Sequence, residues 1–122
     1  MKLEDQVVSL ELAKKLKELG VKQESYLHWV DIHDSWFLGS KADYSRTEQE
    51  RMVSAYTVAE LGEMLPQYFS TTKVEPFLWE GSVLEVGNIE EFSGDTEADS
   101  RAKMLIYLLE NKLINHETIT QE

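Results

Sequence analysis

Between Gly94 and Ile114 the apolar residues Ala98, Ala102, Leu105, Ile106, Leu109 and Leu113 recur at spacings of three and four. That period puts them along one face of an α-helix. Met104 and Leu108 widen the stripe until little of the helix is left for solvent. Thr96 followed by Asp99 has the spacing of a capping box. Glu97 and Asp99 lie where the helix dipole favours anions, and Asn111 suits a left-handed C-terminal turn. A helix this apolar has to be covered by the rest of the chain.

Two more helices can be placed. Leu10 to Leu19 aligns Leu12, Leu16 and Leu19, with Ser9 as N-cap candidate and Gly20 as a stop. Val58 to Leu65 aligns Val58, Leu61 and Leu65 behind a Thr57/Glu60 capping box and ends at Pro66. Strands fill the gaps. Ser25 to Val30 and Ser35 to Gly39, rich in aromatic and β-branched residues, read as a hairpin turning over Asp31-Ile32-His33-Asp34. Lys73 to Trp79 and Ser82 to Val86 read as a second, joined at Glu80-Gly81, with Pro76 at an edge or bulge. Gly87 and Asn88 close it.

Residues 40–55 are polar and only weakly periodic, and read as a loop with room for a short helix or a mobile section. Residues 115–122 read as a frayed tail. The expected order is α-β-β-α-β-β-α, a single α+β domain over residues 1–122. In it, helices pack on one face of an antiparallel sheet of about four strands.

The formal net charge is −11, unevenly spread. Residues 1–61 hold eight basic and eleven acidic residues, whereas residues 62–122 hold four and twelve. From Val74 to Ser100 there are eight acids (Glu75, Glu80, Glu85, Glu90, Glu91, Asp95, Glu97 and Asp99) and no Lys or Arg. This sign repels a phosphate backbone and an anionic lipid surface, so direct nucleic-acid or membrane binding is not expected. No apolar run approaches the length of a bilayer span. Met1 to Asp5 carries acids where a signal peptide needs a basic and then an apolar stretch. With no Cys there is no disulfide and no thiolate chemistry. A cytoplasmic protein is the simplest expectation.

Three segments taken together resemble a known group: Ser9 to Ser25 (SLELAKKLKELGVKQES), Tyr56 to Pro66 (YTVAELGEMLP) and the C-terminal helix. In this order they are similar to small uncharacterised proteins of bacterial phages, prophages and related mobile elements. The resemblance covers the helices and weakens in the strands, most of all in residues 40–55. It implies a mobile-element origin and a bacterial cytoplasm, and brings no catalytic residues with it.

The metal-capable side chains cluster in His28-Trp29-Val30-Asp31-Ile32-His33-Asp34. On an extended strand Asp31 and His33 share one face and His28 the other, and the spacing matches no established zinc or non-haem iron motif. There is no nucleophile elbow, Walker loop or dinucleotide fingerprint, and no cofactor is expected. Glu90-Glu91 reads as a solvated turn. Trp29 and Trp36 are expected to pair across the first hairpin. Trp79, if exposed beside the acidic run, would be an interface hot spot.

Two functions follow. The first is a non-enzymatic acidic interaction protein that binds a basic protein surface through Trp79, Glu75, Glu80, Glu85, Glu90 and Glu91. The alternative is a small metal-dependent hydrolase built on His28, Asp31, His33 and Asp34.

Overall fold

Helix α4 (Glu97–Glu110) is the element on which two other helices and one of the two sheets rest. The computed structural model describes residues 2–66, 69–83 and 90–114, with only the backbone of Val83, Glu90 and Glu91. Ala98, Ala102, Met104, Leu105, Ile106, Leu108 and Leu109 are all buried, as their period requires. Thr96 caps the helix by accepting the Asp99 N–H at 3.1 Å. The reciprocal half of the expected capping box is missing, because the Asp99 carboxylate accepts the Ser9 N–H at 2.8 Å instead. At the other end the left-handed residue is Lys112, with φ 56°, and not Asn111. The Leu113 N–H bonds to the Leu108 carbonyl and the Lys112 N–H to the Leu109 carbonyl, the two bonds of a Schellman motif.

Helix α1 (Leu10–Glu18) closes the same way, with Gly20 at φ 91° and the Val21 N–H bonded to the Leu16 carbonyl. Strands β1 (His28–Ile32) and β2 (Ser35–Gly39) form the first hairpin. His33 and Asp34 both sit at positive φ in its two-residue turn, as a type I′ turn requires. Trp29 faces Leu38 and Trp36 faces Asp31, so the two indoles are not directly opposed. The Trp29 indole N–H donates to the Val8 carbonyl, and Lys14 lies over the Trp36 ring.

Residues 40–55 are more structured than a loop. They hold a 3-10 turn at Lys41–Asp43, the short helix α2 (Arg46–Gln49) and strand β3 (Val53–Ser54). Helix α2 starts on a complete Ser45/Glu48 capping box, and β3 pairs with β1. Met52, Val53, Ser54 and Ala55 are buried. Helix α3 (Val58–Met64) carries the expected Thr57/Glu60 box.

The second hairpin turns elsewhere than expected. Strand β4 (Phe69–Glu75) meets β5 (Leu78–Val83) across Pro76-Phe77, and Glu80-Gly81 lies inside β5. Strand β6 (Glu90–Gly94) then pairs with β5, so Glu90-Glu91 is strand and not turn. Glu85, Val86, Gly87 and Asn88 lie outside the described residues, as does the 115–122 tail.

The class is α+β. The described strands form two three-stranded antiparallel sheets, β2-β1-β3 and β4-β5-β6, where a single sheet of about four strands was expected. The second sheet covers one side of α4, while α1 and α3 cover the other and α1 also packs on β3. The first sheet packs on α1 through β3 and does not join the sheet that covers α4. No described helix is long and apolar enough to cross a membrane.

Candidate functional site

Strand pleat decides where the acidic run goes. In β5, Trp79 and Gly81 face the α4 side of the sheet, and Glu80, between them, faces away. Across from Trp79 stands Lys73, and across from Glu80 stand Thr72 and Ser93. Ser70 and Ser82 share a hydrogen bond at 3.0 Å on the outer face that carries Glu80. Glu75 is exposed beside the turn. Asp99 points inward to the Ser9 N–H, and burial pushes its carboxyl above the ordinary range, with the Ser9 bond opposing. Glu97 is held by Arg101 at 3.2 Å and accepts the Thr71 hydroxyl at 2.5 Å.

The described acids of the run therefore do not share one face. Trp79 and Glu80 lie on opposite sides of the sheet, and Glu85 is outside the described residues. For Glu90 and Glu91 the structure gives backbone position in β6 only. Cations absent from the 74–100 span reach it through the fold: Lys73 across from Trp79, Arg101 on Glu97, and Lys103 donating to the Ser93 carbonyl at 2.6 Å.

What the fold does assemble is a groove of about 330 Å³ between the β4–β5 turn and the start of α4. Val58, Pro76, Phe77 and Trp79 are its apolar lining, and Asp5, Asp95, Glu97 and Lys73 line it with charge. Phe77 is 82% exposed and Val74 50% exposed, although both are large and apolar. Asp5 and Asp95 are exposed, and neither pairs with a cation among the described residues. Such a groove offers desolvation energy from its aromatic rings, cation–π attraction over their faces, and carboxylates at its edge. Sequence reading had Trp79 and missed Phe77 and Asp5. Phe77 became visible only once the turn was placed, and Asp5 comes from the 3-10 turn Leu3–Gln6, far from Asp95 in the chain.

The residues proposed for a metal do not converge. His28 lies opposite Asp31 in the pleat of β1 and lines a cleft of about 400 Å³ with Gln23, Tyr26, Lys41, Glu60 and Glu63. Asp31, His33 and Asp34 border a different recess, with Glu48 and Arg51. Glu60 in the His28 cleft is already committed: its two carboxylate oxygens accept the Thr57 and Tyr26 N–H groups. Among the described residues no group of three or more His, Asp or Glu is placed to hold a metal ion. His28 itself is 3% exposed, with neither ring nitrogen hydrogen-bonded to a described group. Burial holds its imidazole below the ordinary value of 6.5, and the Gln23 backbone opposes the shift.

Compared with family models, with curated proteins and with solved structures, the chain finds no match.

Proposed function

We propose that this is a non-enzymatic interaction protein of a phage or prophage element. Its partner is a basic polypeptide of the host or the phage, bound in the bacterial cytoplasm. The observation that carries the reading is the Phe77/Trp79 groove. Apolar surface gathered into one exposed groove marks an interaction site, and aromatic residues are enriched among the anchors of protein interfaces. The carboxylates of Asp5 and Asp95, unpaired among the described residues, favour Lys and Arg, and the net charge of −11 steers a cationic partner in and keeps nucleic acid out. The helical segments that resemble phage and prophage proteins support the mobile-element setting. The hydrolase alternative has less support, since His28 lines a different recess from Asp31, His33 and Asp34.

The test uses a peptide of alternating Arg and Leu residues as probe, titrated into isotopically labelled protein. The Trp79 indole and Phe77 amide resonances should shift, those of Trp29 should not, and association should slow as salt rises, since exposed charges are screened beyond about 8–10 Å. Phe77→Ser and Asp95→Asn should each weaken binding. Trp79 resonances that stay in place, or that move equally with a Glu–Leu peptide, would sink the proposal.

A further inference from the structure

The outer edge of β2 is the second feature of the surface that asks for a partner, and it is independent of the groove. β2 is the outermost strand in the order β2-β1-β3. Its ladder with β1 begins at the pair Ile32–Ser35, which closes the two-residue turn. From that pair the antiparallel alternation directs the backbone N–H and C=O of Ser35, Phe37 and Gly39 toward β1, and those of Trp36 and Leu38 outward. No backbone group of another described segment bonds to Trp36 or Leu38.

Natural proteins guard such an edge with charge, proline, a bulge or short length. The other described edges are guarded: β4 carries Lys73 and a register break between Lys73 and Glu75, β6 carries Glu90 and Glu91 in its sequence, and β3 is two residues long. β2 has none of these devices. Ser35-Trp36-Phe37-Leu38-Gly39-Ser40 is uncharged, its register is unbroken, and Phe37 at its centre is 53% exposed.

We infer that β2 pairs antiparallel with β2 of a second copy of this chain, about a two-fold axis at Phe37, joining two three-stranded sheets into one of six strands. The occupant follows from the symmetry of the strand. With Phe37 opposite the partner's Phe37, Trp36 exchanges both backbone bonds with the partner's Leu38, and Leu38 with the partner's Trp36. Phe37 then falls at the non-hydrogen-bonded position, where cross-strand side chains come closest. The same register sets the exposed Asp34 of each copy against the Ser40-Lys41 segment of the other. Each end of the paired strands therefore brings an anion beside a cation. In a chain of net charge −11, an uncharged strand with opposite charges at its two ends is where two copies meet without like-charge repulsion.

Sedimentation velocity on the full chain over a range of concentrations tests this. The native protein should be a reversible dimer. Phe37→Lys sets two ammonium groups face to face and should weaken the dimer more than about tenfold, since like charges directly opposed on a sheet are destabilising. Circular dichroism should show the variant still folded. Because Phe37→Lys could also disturb the hairpin, a charge-pair cycle supplies the second arm. Asp34→Asn, which tolerates the positive φ of the turn, and Lys41→Gln should each weaken the dimer, and the two together should cost no more than the larger single loss. A native protein that stays monomeric at every concentration overturns the inference, as does a dimer indifferent to Phe37→Lys. A double variant whose loss is the sum of the two single losses overturns the Phe37-centred register.

Discussion

His28 brings an imidazole into the interior without giving either nitrogen a described partner. A buried polar group left in that state costs stability, and protonating it there costs more. The folded protein therefore takes up a proton at lower pH than the unfolded chain, whose imidazole titrates near 6.5. As pH falls through that value the unfolded state binds the proton first, and stability is lost. Above it this group has no effect on the pH profile. His28→Leu removes both the unpaired nitrogens and the titration. Urea unfolding at about pH 7 and about pH 5 should show a smaller loss for His28→Leu than for the native chain. Equal losses in the two proteins would assign the acid sensitivity to other groups.

At the scale of elements, β6 meets the first turn of α4 backbone against backbone. A Cβ on Gly94 would lie 2.6 Å from the Ser100 backbone nitrogen and 3.0 Å from the Asp99 carbonyl carbon. Helix backbone cannot step aside as a long side chain can, so Gly94→Ala should destabilise by about 1–3 kcal/mol. Calorimetry would check this, and a melting temperature within a degree or so of native would show that the helix start can shift. Elements defined by local chemistry were legible in the sequence: the Thr57/Glu60 box, the Thr96 cap, the Gly20 stop and the apolar stripe of α4 all rest on residues within a few positions of one another. The second hairpin was not, because Glu80-Gly81 and Pro76-Phe77 both carry turn residues, and the choice between them rests on how β4 pairs with β5. β3 was hidden for a similar reason: two residues carry no period, and Val53 and Ser54 are strand because β1 is beside them. Of the groove, Trp79 could be picked out as an aromatic beside acids. Asp5 could not, since nothing local links the Leu3–Gln6 turn to Asp95.

Across the whole molecule one hydrogen bond ties the beginning of the described fold to its end, from the Ser9 N–H to the Asp99 carboxylate. Burial raises the Asp99 carboxyl above its ordinary 3.8. Between that value and the raised one the folded state keeps a proton that the unfolded chain has released, so stability falls as pH rises through this window and the full cost of ionisation is present at neutral pH. Asp99→Asn keeps an oxygen to accept the Ser9 N–H and carries no charge. At about pH 7 it should be at least as stable as the native chain, and its relative advantage should shrink as pH falls toward about 4. An advantage that grows on acidification would show that the carboxylate is favoured in place.

The central position of α4 has a consequence for how the chain is made. Every described layer that rests on this helix is synthesised before it, so α1, α3 and the second sheet leave the ribosome with their apolar faces bare. Helix α1 cannot close its Asp99 bond, nor β5 bury its inner face, until residues near 110 have cleared the exit tunnel. Nascent chains ending at Gly94 should therefore stay protease-sensitive and exposed to chaperones, and protection should arrive in one late step when α4 emerges.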